Sequence, residues 1–382
     1  MVRALSLIMT MFWLPLEAAS SDARLDPDGN AAQKYWQAFA TLPTFTQAEK
    51  QKIGACLTTP LDEPARQMLI KADYALQMLH RGAALRDCDW GISYEDGIFT
   101  RLPHTDAARV LSSLACLRGR LRFEASQGAA AIDDLLAAMT LGRHVSRDRS
   151  IITGLVAYNI EHRAVELLAR YLPSLNATTL ANLRTRLDAL PTFGSQATAL
   201  LTEQKESLNW FIRKVKEAKD KESLLAFLGW VGISEGVDRD SGEKARTFLE
   251  ACGGTAENMI KFADELVPCY DIMAKMFDLP LDDFEREFKR ESIKRAGNPV
   301  YQLFFPALTK AREARARADV RRALLSAAIA VQIDGPDSLK NHSDPALGGR
   351  FEYASFPGGF ELRSKLKGQN GNPITLTVGQ RG

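Results

Sequence analysis

Few residues in this chain could do chemistry, and the histidines come first. There are five: His80, His104, His144, His162 and His342. His162 interrupts an apolar seam, so an imidazole there either hydrogen-bonds a neighbouring helix as a buried structural group or moves protons. The structural reading is the plainer expectation. The proton-transfer reading joins His162 to His144 and Asp148 across an adjacent helix, although no spacing rule imposes that arrangement. The chain contains no HExxH, GxSxG, P-loop or GxGxxG pattern. It therefore carries no specific zinc, nucleophile or phosphate signature.

The cysteines are Cys56, Cys88, Cys116, Cys252 and Cys269. Their number is odd, so at least one thiol is free or pairs outside the chain. Their spacings are long and none is a CxxC, which argues against zinc or an iron–sulfur cluster. No metal ligands and no cofactor are expected. One or two structural disulfides and a buried thiol are expected, with Cys252–Cys269 the simplest bridge. A straight helix would hold those two roughly 25 Å apart, beyond bridging distance, but Gly253-Gly254 and Pro268 interrupt it.

Arginine is clustered. Arg118, Arg120, Arg122 and Glu124 crowd one helix end, and Arg143, Arg147 and Arg149 the next. A hairpin sets these groups at opposite ends, where they read as dipole chemistry and solvated salt bridges. Arg312, Arg315, Arg317, Arg321 and Arg322 interleave with Glu313 and Asp319 and read as an exposed charged face. No aromatic pattern accompanies them, so nucleic acid is not an expected partner. Trp210, Phe211, Phe227 and Trp230 read as core.

The elements that must position these groups are helical from Asn30 to about Gln332. Asn30, Asp62 and Asn176 are caps, and Thr46 with Glu49 is a capping box. From Asp62 to Ala83 the apolar residues recur at steps of three and four, which predicts one amphipathic helix. Cys88 to Pro103 predicts an ordered loop. A hairpin turning at Gln127-Gly128 resembles a tetratricopeptide unit, with no second copy at that repeat's period. Ile151, Leu155, Tyr158, His162, Val165, Ala169 and Leu172 form the strongest stripe, closed by Pro173. Later helices are expected over Glu243–Ala251, Thr255–Phe277 with a bend at Pro268, Leu281–Lys294, and Val300–Gln332 with a bend or break at Pro306. Beyond Asp334 the period changes to alternation around Phe351–Tyr353, Phe360–Leu362 and Ile374–Val378, which predicts two or three short antiparallel strands packed on the long helix before them.

The first twenty residues read as an address. Arg3 precedes an apolar run from Ala4 to Pro15, and Ala18 and Ser20 stand at the −3 and −1 positions before Ser21. This is the layout of a secretory signal peptide cleaved between Ser20 and Ser21. No later segment could span a membrane: Ile151 to Tyr171 is interrupted by Glu161, His162, Arg163 and Glu166. The 382 residues carry 46% hydrophobic and 25% charged side chains and a net charge of +2, an ordinary globular balance. The expected organisation is a signal peptide over 1–20, a helical domain over 21–332 with a subdivision near 232–242, and a turn-rich C-terminal segment over 333–382.

The end of the chain carries a resemblance. Arg321 to Val331, then Asp344-Pro345, Gly348-Gly349, Phe351-Glu352-Tyr353 and Gly359-Phe360-Glu361-Leu362-Arg363-Ser364, resembles a tail of many signal-bearing, mainly helical bacterial proteins of unassigned function. That tail is in turn similar to the C-terminal strands of type II secretion pseudopilins. Gln369-Asn370-Gly371-Asn372 replaces the acidic residues of the pseudopilin calcium site, and the pilin N-terminal helix is missing, so neither calcium binding nor pilus assembly carries over. The resemblance implies an exported helical fold and no activity.

The expected fold is mainly α: an irregular helical array or bundle of antiparallel hairpins with a small C-terminal antiparallel β element. The expected function is an exported, non-catalytic scaffold or binding protein, periplasmic or extracellular, whose partner is a protein if it has one. Two alternatives stay open. One is an extracytoplasmic, hydrolase-like enzyme with an inter-helix cavity using His144 and His162. The other is an envelope or secretion-assembly component.

Overall fold

Local capping chemistry starts the helices. Asn30 Oδ1 accepts from the Ala32 amide at 3.1 Å and opens α1 (Ala31–Thr41). Thr46 and Glu49 form the reciprocal box at the start of α2 (Gln47–Ala55). Asp62 caps α3 (Glu63–Lys71) through the Ala65 amide at 3.1 Å. These bonds satisfy amides that a helix start leaves without partners. The computed structural model describes residues 29–55, 62–231, 241–305 and 308–381. The expected signal peptide with its Ser20–Ser21 cleavage site, Cys56, residues 232–240 of the expected boundary, and Pro306 lie outside the described residues.

The helix expected from Asp62 to Ala83 is two helices. Ala72, at φ −96° and ψ 5°, separates α3 from α4 (Asp73–Ala83). After the loop to Leu102 come three long helices: α5 (Pro103–Glu124), α6 (Gly128–Val145) and α7 (Ile151–Tyr171). α8 (Ala177–Asp188) and the single turn α9 (Gln196–Ala199) follow, and a π-helical turn at Leu200–Gln204 leads into α10 (Lys205–Glu217). Next are α11 (Lys221–Trp230), α12 (Ser241–Ala251), α13 (Ala256–Asp264), α14 (Val267–Met276), α15 (Leu281–Lys294) and α16 (Pro299–Phe304). The last helix, α17 (Leu308–Asp334), runs 27 residues. Among the described residues no helix is long and apolar enough to cross a membrane.

The protein is mainly α-helical with a small C-terminal sheet. Strands β1 (Glu352–Phe356), β2 (Gly359–Lys367) and β3 (Pro373–Gly379) pair antiparallel in the order β1-β2-β3. The register places Tyr353 opposite Leu362 and Leu362 opposite Leu376. Phe360, Leu362, Ile374, Leu376 and Val378 point to the buried face. A Cβ on Gly359 would stand 1.9 Å from the Val378 carbonyl oxygen, so only glycine lets the strands close there. The sheet packs on α17, the long helix before it, as the sequence predicts, and also on α7.

Two hydrophobic cores organise the molecule. The first joins α1–α8 to the second half of α17 and the sheet, around Tyr35, Leu76, Leu111 and Leu114, with Ala327, Ala328 and Ile329 contributed by α17. The second core joins α9–α16 to the start of α17, around Phe211, Met273, Phe277, Phe284 and Phe305. Burying a side chain of this size contributes roughly 1.5–3 kcal/mol each. α17 belongs to both cores, so the seam between them runs along it.

The cysteines correct the expected bridges. Cys88, Cys116, Cys252 and Cys269 are free thiols. Cys269 Sγ instead accepts from Arg295 Nε at 2.7 Å and faces the Glu265 carbonyl at 3.5 Å. These contacts hold it on α14, with no bond to Cys252 at the end of α12.

Candidate functional site

Pro191 ends the α8 segment, and the chain then crosses the end of α6. A Cβ on Gly194 would stand 1.9 Å from the Ser146 carbonyl oxygen, so glycine alone allows this approach. The Gly194 amide donates to Ser146 Oγ at 2.9 Å, and Ser195 caps α9 by accepting from the Thr198 amide at 3.2 Å. This pinned crossing presents Phe193. The Arg143 guanidinium of α6 lies 5.0 Å from its ring centre and that of Arg322 of α17 lies 4.6 Å away. Both distances suit cation–π attraction.

A cavity of about 690 Å³ opens beside Phe193, between α6, α7, α8 and α17. Its polar wall centres on Glu161 of α7, which is 3% exposed. Arg143 Nη2 donates to Glu161 Oε1 at 2.8 Å, and Arg322 Nη1 stands 3.5 Å from Oε2. Arg143 Nη1 also donates to the Pro191 carbonyl at 2.9 Å, which ties the crossing to α6. Arg322 further pairs with Asp319. Tyr158 lines the same cavity, and burial pushes its phenol up to about 12, although Arg315 and Arg322 pull the other way. Met139, Leu187, Leu325 and Ile329 supply the apolar lining.

No family model, curated protein or solved structure matches this chain.

The histidines lie elsewhere. His144 is fully buried, with Nδ1 2.9 Å from the Tyr35 hydroxyl, and its carbonyl accepts from Trp90 Nε1 at 2.9 Å. Burial, with Arg147 nearby, lowers its pKa to about 4. Asp148 pairs with His104, 3.0 Å from Nε2, and accepts from the Tyr94 hydroxyl at 2.8 Å. His162 is not the buried group expected from the seam. Its side chain is 31% exposed and meets Glu166 on its own helix at 2.7 Å. His144 and Asp148 therefore share the surroundings of Trp90, which stacks on the His104 partner of Asp148, whereas His162 pairs with Glu166 on α7. None of them lines the cavity. Among the described residues no group of three His, Cys, Asp or Glu side chains is placed to hold a metal ion.

The arginine expectations also change. Arg118 and Arg122 are not simply solvated: both reach the fully buried Asp134, at 2.6 and 2.8 Å, and His80 joins them at 2.8 Å. Burial pushes the Asp134 carboxyl up, but His80, Arg118 and Arg122 outweigh it and hold the group below its ordinary value. On α17, Arg312 and Arg317 are buried rather than on an exposed face, and Arg315 and Arg322 line the cavity. Trp210 and Phe211 are core, whereas Trp230 is 61% exposed and stacks on Phe99 with ring centres 4.1 Å apart. Sequence reasoning missed Phe193 and treated Glu161 only as a break in an apolar run. The one usable signal was a carboxylate one residue from the seam of a long buried helix.

Proposed function

We propose that the chain is an exported binding protein that takes a small molecule into the cavity between α6, α7, α8 and α17. The carrying observation is the 690 Å³ space beside Phe193, at the seam of two cores and lined by both apolar and charged side chains. Cavities of this size, with apolar walls and a few fixed polar groups, suit small ligands, and they favour boundaries between packed units. Glu161 is already engaged by two arginines, so it serves as part of the wall. Ser195 and Ser326 line the space without a histidine among the lining residues. That composition supports binding over the hydrolase reading. The sheet supports the same reading by bracing α7 and α17, which carry Glu161 and Arg322.

The test is ligand-induced thermal stabilisation across a library of small organic molecules. A true ligand at a hundred times its Kd adds about 2.7 kcal/mol to stability. Ser326 is exposed at the cavity, so Ser326→Trp should obstruct the space while preserving the fold. Loss of the shift in Ser326→Trp supports the proposal. Shifts that survive unchanged in that variant, or no shift with any compound, overturn it.

A further inference from the structure

The charges around the cavity divide into those already occupied and those still open to a ligand. Arg143 and Arg322 are held by Glu161, and Arg322 by Asp319 as well. Arg184 of α8 lines the cavity, is exposed, and makes no ion pair or hydrogen bond to the described residues. Arg315 of α17 lines it too, with only long contacts: 3.3 Å to the Phe277 carbonyl, 3.5 Å to Asp278 and 4.0 Å to Asp319. Satisfied charges build a wall, whereas loosely held guanidiniums present N–H groups to a ligand. A guanidinium presents a planar fork of donors that matches a carboxylate or phosphate. Leu187, Phe193 and Ala323 line the same space, apolar and only partly buried.

We infer that the ligand is an amphipathic organic anion, its carboxylate or phosphate head held by Arg184 and Arg315 and its apolar body against Leu187, Phe193 and Ala323. This rests on the cavity being a binding site. The head faces water at the exposed Arg184, so it need not be fully desolvated, while the body gains the hydrophobic contribution of the interior. Asp188 and Asp278 share the lining. They disfavour a second negative group, which points to one anionic head rather than two.

The test compares shape-matched probes by titration calorimetry: 2-naphthoate and 2-naphthyl phosphate against neutral 2-naphthamide. At least one anion should bind about tenfold tighter than the amide, the scale of a hydrogen bond to a charged group. Arg184→Gln alone should erase most of that preference, and adding Arg315→Gln should bring the three probes within about twofold. Because Arg184 is exposed and has no partner among the described residues, its variant should keep the parent thermal midpoint. Equal binding of amide and anions overturns the anionic head and leaves the cavity reading intact. A preference unchanged by both substitutions overturns the assignment to these arginines. Failure of every probe to bind overturns this inference, and the library screen with Ser326→Trp then decides the cavity reading separately.

Discussion

Arg143 on α6 donates to the buried carboxylate of Glu161 on α7 at 2.8 Å, and this pair joins the first core to the cavity wall. Removing the charge of Glu161 would leave Arg143, whose side chain is 11% exposed, without its counter-ion. Breaking one partner of a buried pair commonly costs 3–5 kcal/mol. Glu161→Gln should therefore lower unfolding stability by about 3 kcal/mol in urea titrations. Glu166→Gln, one turn away and solvent-facing, should change it by less than about 1 kcal/mol. Equal effects at the two positions would contradict the assigned roles.

Gly194 offers a separate test, because its backbone lies against Ser146 rather than against a flexible side chain. An added methyl group must push the 191–195 crossing away from α6. Overpacking of this kind costs roughly 1–3 kcal/mol. Gly194→Ala should lower the thermal midpoint and weaken any cavity ligand, since Phe193 moves with the crossing. Gly229→Ala, where an added Cβ meets nothing within 4 Å, should leave ligand binding intact.

Much of the fold was legible because it is written in local chemistry. Asn30, Thr46 with Glu49, Asp62 and Asn176 all cap as their types imply. α15 spans Leu281–Lys294 as its pattern predicts, and α13 and α14 divide just before Pro268. The cavity was not legible, because it depends on which charges turn inward. Arg315 and Arg322 share a helix with apolar residues of two cores, so no single face reads as polar or apolar. Glu161 and His162 are adjacent, yet the stripe cannot say which one is buried. The helix rotation that decides this is set jointly by α6, its neighbour in the chain, and by α17, more than a hundred residues away. Phe193 sits in a non-helical crossing where periodicity carries no information.

The thiols should be countable by chemistry. Burial raises Cys116 to about 12 and Cys252 to about 11, and it raises Cys88 and Cys269 as well. The thiolate is the reactive form. At pH 8 a disulfide reagent should label these four thiols slowly in the native protein and promptly after denaturation. Mass spectrometry without reduction should find each of the four unbridged. A Cys252–Cys269 peptide in that digest would contradict the packing of Cys269 against Arg295.

His144 should make stability fall on the acid side of neutrality. Its folded pKa is lowered to about 4, below the ordinary value of 6.5, because burial favours the neutral ring. Above pH 6.5 the ring is neutral in both states and its contribution is complete. As pH falls from 6.5 towards 4, the unfolded chain takes up a proton that the folded chain refuses, so stability is lost through this window. The shift corresponds to roughly 3 kcal/mol by the linkage relation. His144→Phe should cost about 1 kcal/mol at pH 7.5 through the lost Tyr35 hydrogen bond. Between pH 7.5 and about pH 4.5 it should then lose about 2 kcal/mol less than the parent, because the titrating group is gone. Urea titrations at the two pH values measure both quantities. Parallel losses in parent and variant would show that the acid sensitivity comes from other groups, among them the carboxylate of Asp134, whose lowered pKa also withdraws stability as it protonates.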